Sequence, residues 1–412
     1  MSKADNLKDF LTDVANAIRA KKGSTDLINP QNFSAEIAAL SGGLEVIEMT
    51  ETTATIEPNK VYVWGMVESL DITLGASTDD SDFFAFRFRC SKPTMTSVTV
   101  NSATWAEDTE LDAQGKPVLD PGSWYQCEIK GGTSALYARL AHYIPFKDAK
   151  VEAVLLSKGI GDGLGVTYKD AENVTSISTW FTDNADITSF AEFINFSGIR
   201  DVKNSAFSSC SSLAEIALPA SITYIGITAF QNCSSLTRVI NLENTKVTSI
   251  DQYAFRYCSS LAEIAFPDTL TSIGRYAFQG CSSLAEIAFP DTLTNIGSYA
   301  FYGCKLLTSV INLENTKVTD IWEFAFSACS SLAEITLPTG VTSIRNYAFF
   351  QSSSLQYIRI EATTPPTLSS TNAIPSSIGA IYVPDESVET YKAATNWSSF
   401  ASKIKGISEM PA

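Results

Sequence analysis

Four glutamates, Glu215, Glu263, Glu286 and Glu334, stand at one equivalent position, each inside a Leu-Ala-Glu-Ile segment. A pair of carboxylates can hydrolyse a glycosidic bond, one protonating the leaving oxygen while the other attacks or activates water. That chemistry needs two carboxyls in different environments, whereas a residue repeated once per unit builds a solvated column of like charge. Cysteine offers a second possibility. Cys210, Cys233, Cys258, Cys281, Cys304 and Cys329 recur once per unit at a nearly constant step, which fits no Cys-x-x-Cys metal pattern. Their spacing predicts a stacked column of buried thiols. Cys90 and Cys127 could meet across a sheet, with the unpaired state as the default in a chain showing no secretory signal. The single histidine, His142, lies in YARLAHYIPF without a serine elbow or a cysteine nucleophile near it, so a histidine-dependent triad has nothing to build on. Asp79, Asp80 and Asp82 could face a cation but lack the glycine and terminal glutamate of an EF-hand loop. The run from Gly159 to Gly165 has neither the Gly-Lys-Ser/Thr ending of a phosphate loop nor a βαβ setting, and is expected to be a linker. The expectation is therefore a chain that is not an enzyme and has no cofactor and no metal.

What must position these residues is a multidomain chain, because 412 residues exceed what one hydrophobic core supports. With 45% hydrophobic and 18% charged residues the composition is that of a globular protein. A net charge of −16 argues against a broad nucleic-acid footprint and against docking on anionic membranes. No stretch approaches the roughly 20 apolar residues of a membrane span, and the opening MSKADNLKDFLTDVANAIRAKKG holds no apolar leader core.

Residues 1–43 are expected to form a short α-helical attachment module. Leu7, Phe10, Leu11, Val14 and Ile18 follow helical spacing to Gly23, and Phe33 and Ile37 mark a second helix. Stripes on helices this short cannot be buried by the helices alone and are expected to pack against another chain or a platform protein, with folding back onto the middle domain as the alternative. Residues 44–157 alternate β-branched and aromatic residues with turn residues, which predicts an antiparallel β-sandwich of jelly-roll type. Residues 158–186 are expected to link this domain to a solenoid and cap its start, residues 187–360 to form repeats, and residues 361–412 to cap the end.

Ala-Phe pairs ending at Phe207, Phe230, Phe255, Phe278, Phe301, Phe326 and Phe349 share the step of the cysteines, as do Leu213 through Leu355. One coil has too little core to fold alone, and stacking supplies it. A longer period lies above the first: Cys233 stands as far before Cys304 as VINLENTKVTSI at Val239 stands before VINLENTKVTDI at Val310. A three-coil block is duplicated. Because the coils are near copies, their differences are informative. Gly226, Gly274 and Gly297 give way to Trp322 and Arg345, the positions after Ala-Phe become Arg256-Tyr257, Tyr302 or Phe350, and Arg238 interrupts the glutamate column. Aromatic residues and arginine dominate binding energy at interfaces, so ligand contact is expected at Arg238, Arg256, Tyr257, Tyr302, Trp322, Arg345 and Phe350. The regular column Tyr253, Tyr276, Tyr299, Phe324 and Tyr347 points instead to packing between coils.

The repeated pattern of Ala-Phe, Cys and Leu, with Ile and Pro closing the strand, resembles the BspA-like leucine-rich repeats over about residues 187–360. That resemblance implies a leucine-rich-repeat α/β solenoid that binds rather than catalyses. LTDVANAIRAKKGSTDLINPQNFSAEI is similar to a helical module that opens many bacteriophage tail and virion proteins, and TTATIEPNKVYVWG resembles a β-domain of phage proteins from gut Bacteroides. These likenesses imply a virion structural protein, a tail or head fibre assembled in the host cytoplasm. It would dock on other virion proteins through the N-terminal helices, form a homo-oligomer with a trimer favoured, and bind a host cell-surface protein or glycan as its receptor. The alternative is a bacterial BspA-like surface adhesin, which would require a sorting sequence.

Overall fold

The computed structural model describes residues 45–51, 53–57, 60–67, 69–74, 84–90, 97–101, 103–105, 124–132, 135–144, 146–161 and 165–411. The expected attachment residues, Leu7, Phe10, Leu11, Val14, Ile18, Phe33 and Ile37, lie outside them, as do Asp79, Asp80 and Asp82. The chain divides into two compact units, 1–171 and 172–412.

The first unit contains β1 (Glu45–Met49), β2 (Thr53–Ile56), β3 (Lys60–Val67), β4 (Ser69–Leu74), β5 (Phe84–Cys90), β6 (Ser97–Asn101), β7 (Thr104–Trp105), β8 (Trp124–Gly132) and β9 (Ala135–Tyr143). Two sheets result, ordered β1-β3-β5-β8-β9-β7 and β2-β4-β6. Strands β1, β3 and β5 pair in parallel, as do β2, β4 and β6. This corrects the expected antiparallel jelly roll. Parallel neighbours need a crossover, and here the strand between them supplies it by running in the other sheet, so the chain winds from sheet to sheet. Among the described strand pairs only β5-β8 and β8-β9 are antiparallel, with one isolated antiparallel bridge from Tyr143 to Thr167. Alternation puts Ile56, Trp64, Ile72, Phe84, Phe86, Phe88 and Tyr125 into one shared core. Trp64 satisfies its indole N–H on the Glu51 carbonyl at 2.7 Å. Cys127 faces Phe86 in the β5-β8 register, while Cys90 stands at the far end of β5. At ~3.3 Å a residue the two are about 13 Å apart along the strand, beyond the reach of a disulfide. His142 sits in β9 opposite Tyr125.

The second unit is a stack of coils, each contributing short parallel strands to two faces. Glu215 aligns with Arg238 and Ile216 with Val239 on one face, while Tyr224, Ser249, Ser272 and Asn295 align on the other. The third face is built from turns. There the expected α/β character is corrected, because among the described residues no α-helix occurs between Asn173 and Val388. The reason is local. In each coil the residue before Ala-Phe and the residue before the cysteine or its equivalent have positive φ, as at Tyr253 (62°) and Tyr257 (60°), Tyr276 (59°) and Gly280 (74°), and Tyr299 (60°) and Gly303 (73°). Left-handed residues at this spacing stop a right-handed helix. They also turn backbone N–H groups along the stack: Tyr253 N donates to the Arg275 carbonyl at 3.0 Å, Phe255 N to Ala277 at 2.8 Å and Tyr257 N to Gln279 at 2.7 Å. Three inter-coil bonds per coil offset the ~1 kcal/mol that each such bulky residue costs.

Inside, the phenylalanines of the Ala-Phe pairs stack in one column. Phe207, Phe230, Phe255, Phe278 and Phe301 follow each other at 5.2, 5.1, 5.2 and 5.3 Å between centroids, within 9° of parallel. The cysteines form the predicted buried column. Each thiol donates to the phenylalanine carbonyl of the preceding coil: Cys233 to Phe207 at 3.0 Å, Cys258 to Phe230 at 3.1 Å, Cys281 to Phe255 at 3.2 Å. In the last repeat Ser352 takes the same place and donates to Phe326 at 2.8 Å. The N-terminal end is plugged by Phe181, Phe190, Phe193 and Phe196, all fully buried, which is why the first coil departs from the pattern. At the other end the strands Ala380–Val383 and Ile404–Gly406 continue the parallel sheet, and Trp397 donates to the Pro366 carbonyl at 2.8 Å.

Gly274 marks a close approach between coils, since a Cβ there would lie 2.6 Å from the Gln252 nitrogen and 2.7 Å from the Asp251 carbonyl carbon. Backbone must move to admit it. Gly274→Ala is expected to cost about 1–3 kcal/mol, read as a lowered midpoint in denaturant unfolding.

Candidate ligand-binding face

The left-handed tyrosines of the turn face stack as a second aromatic column, half-buried and running alongside the phenylalanine column inside. Tyr253, Tyr276, Tyr299, Phe324 and Tyr347 succeed one another at 5.0, 4.6, 4.5 and 4.8 Å, with interplanar angles of 6°, 21°, 13° and 16°. Such stacking covers the ring faces with neighbouring rings and leaves their edges to solvent. This agrees with packing between coils as the column's first role.

Four of the expected ligand residues converge on that column. Arg256 lies over the Tyr257 ring at 4.5 Å and near Tyr253 at 5.3 Å and Tyr276 at 5.8 Å. Its Nε donates to Gln279 Oε1 at 2.6 Å and its Nη2 to the Tyr257 hydroxyl at 3.0 Å. Tyr257, 43% exposed, leans onto Gly280 of the next coil, where a Cβ would meet its ring at 2.6 Å. Tyr302 packs against Tyr299 at 5.7 Å and Phe324 at 6.4 Å. Phe350 meets Tyr347 edge-on at 5.3 Å and remains 39% exposed. Each guanidinium-ring contact at an exposed site stabilises by about 0.5–1 kcal/mol, so the larger consequence is positional. Arg256 is held in place, with little side-chain entropy left to lose.

Arg345 and Trp322 form a separate pair. The guanidinium sits 5.1 Å from the indole and donates to Asp320 at 2.9 Å, while its Nε lies buried without an acceptor. Arg238 stands apart altogether, on the strand face, paired with Glu215 at 2.9 Å. The glutamate column is less uniform than its spacing implies, because Glu334 accepts from the Tyr357 hydroxyl and Glu215 pairs with Arg238, leaving Glu263 and Glu286 as adjacent exposed carboxylates.

One member of the face escaped the sequence. Arg275 lies 4.8 Å from the Tyr276 ring and 6.0 Å from Tyr299. Its signal was present, since the residue before each column tyrosine varies between coils, but nothing in the linear pattern says that this position flanks the rings.

The fold has known relatives. Residues 175–307 and 248–367 match a family described as a BspA type leucine rich repeat region, in six copies. A leucine-rich repeat protein of T. pallidum is 30% identical over 38% of this chain and 72% of its own, with a TM-score of 0.34. One from Bacteroides ovatus is 24% identical over 45% of this chain and 59% of its own, with a TM-score of 0.35. A leucine rich cell surface protein from Faecalibacterium prausnitzii is 20% identical over 53% and 81%, with a TM-score of 0.26. No curated protein matches the chain. No helix among the described residues is long and apolar enough to cross a membrane. The repeated Ala-Phe, Cys and Leu positions, the parallel strands they support and the family match over residues 175–367 agree: this stretch of the chain belongs to the BspA-type leucine-rich repeat family.

Proposed function

We propose that the protein is a non-enzymatic surface adhesin whose repeat unit binds a protein or glycan on another cell. The observation that carries this is the filling of one repeat position: the residue after Ala-Phe, serine or glutamine in the other coils, is Arg256, Tyr302 and Phe350 in three of them, and stacking brings these, with Tyr257, onto one aromatic turn face. Arginine and aromatic residues are the types that carry binding energy at interfaces. Trp322 with Arg345 forms a secondary contact point, and Arg238 acts in the strand face rather than in the paratope.

The family supports the bacterial adhesin better than the virion fibre. The fibre, with trimeric assembly through Leu7, Phe10, Leu11, Val14, Ile18, Phe33 and Ile37, rests on the resemblance of the region before the repeats. Antibody against the repeat unit distinguishes the two. Labelling of intact, unpermeabilised producing cells supports the adhesin, and labelling of purified phage particles alone supports the fibre. For the face itself, the full chain is expected to bind target cells saturably. The double change Arg256→Ala with Tyr302→Ala is expected to weaken that binding by about 30-fold or more, the loss of one to two hot-spot residues. Equal binding by wild type and variant would remove the turn face as the contact site.

A further inference from the structure

The aromatic column does not end in solvent. Beyond Tyr347 it reaches Phe350, which forms one wall of a cleft of about 530 Å³ between the last repeat and the C-terminal cap. The floor is Phe400 and Ile374, both buried. Around the rim stand the Asn372 amide, hydroxyls including those of Thr371 and Ser399, and the Lys403 ammonium. Lys403 donates one hydrogen to the Ser376 carbonyl at 2.7 Å, which fixes the ammonium at the rim and leaves two donors. No aspartate or glutamate lines the cleft, in a chain that carries 45 acidic against 29 basic residues.

We propose that this cleft binds an acidic saccharide of one or two rings, with Lys403 on its carboxylate and Phe350 against a ring face. Three features select that class. The volume is that of an ordinary small-ligand site. An exposed aromatic ring beside closely set hydroxyl and amide groups matches a ligand that has apolar C–H faces and hydroxyl edges. A lone cation without a carboxylate partner among the lining residues favours a single negative charge, since pairing it there costs the protein no existing ion pair. A peptide would find no edge strand among the residues that line the cleft. The proposal deepens the adhesin function by naming a glycan class, and rests on that reading, but on different side chains from Arg256 and Tyr302.

The test is ligand-observed NMR titration of the full chain with glucuronic acid, a glucuronic-acid-containing disaccharide and glucose. Binding of the acidic sugars at millimolar concentration or better is expected, with glucose weaker by about tenfold, equivalent to ~1.4 kcal/mol. Lys403→Gln should remove that preference for acid, and Phe350→Ala should weaken both kinds of sugar. Unchanged thermal melts would show that both variants remain folded. No binding of any sugar, equal binding of glucose and glucuronate, or indifference to Lys403→Gln would overturn the proposal. The Arg256→Ala, Tyr302→Ala protein separates it from the adhesin site: it should keep the sugar titration while losing cell binding.

Discussion

Raising the pH above 9 is expected to destabilise the repeat unit steeply, through the cysteine column. Cys258, Cys281, Cys304 and Cys329 are wholly enclosed, and burial pushes each thiol above its ordinary value of 9.0, Cys329 to about 12. The neutral thiol is favoured in the folded state, so below pH 9 both states are protonated and the stability is fully present. Above 9 the unfolded chain releases protons that the folded chain retains, and stability falls until the folded values are reached. Each such thiol contributes about 1.4 kcal/mol of loss per pH unit within that window. The four act in the same direction, so the fall is steep against the narrow margin of a folded domain. Thermal melts by circular dichroism at pH 8, 9 and 10 check this against a variant with Cys258, Cys281 and Cys304 changed to serine. Ser352 shows that a hydroxyl can make the same inter-coil bond. A variant that melts with the same pH dependence as the wild type would refute the thiol origin.

Removing one ring from the middle of the phenylalanine column should rank next. Phe278 is fully buried, stacked between Phe255 at 5.2 Å and Phe301 at 5.3 Å and met edge-on by Phe266 at 5.8 Å. Phe278→Ala is expected to cost about 3–5 kcal/mol, the transfer of the ring plus the cavity left behind. In a stack where each coil contacts only its neighbours, a central lesion weakens two interfaces at once. Urea unfolding should therefore show both a lower midpoint and a broadened or biphasic transition. A loss under about 1 kcal/mol, well short of a buried ring's worth, with one sharp transition would mean that the coils are not held by this column.

The repeat architecture was legible because its core positions tolerate so little. A leucine, a phenylalanine and a cysteine recurring at one step can only point inward when coils stack, and Phe207 to Phe349 and Cys210 to Cys329 all do. What the turn face does was not legible. A tyrosine in the left-handed region contradicts its own preference, so Tyr253 and Tyr276 signal a column in sequence without signalling the left-handed turn that excludes a helix. The first unit misled for a related reason: alternating Phe84, Phe86 and Phe88 specify a strand with one buried side, but alternation is the same whether the neighbour is parallel or antiparallel. Arg256 and Tyr257 were legible as departures from the repeat. Lys403 was not, because the cleft is assembled from chain segments between Phe350 and Lys403 that share no pattern.

The two longer coils are matched in detail. Asn241 and Asn312 adopt φ of 67° and 66° and donate to the carbonyls of Leu218 and Phe289 at 2.7 and 2.8 Å, at the same place in each three-coil block. A block that begins and ends at the same phase of the coil can be gained or lost whole, three coils at a time, without disturbing the register of the stack. Both end caps would survive, and the product would differ in reach by about 14 Å, three strand spacings, so length itself is a property that the architecture can vary in whole blocks.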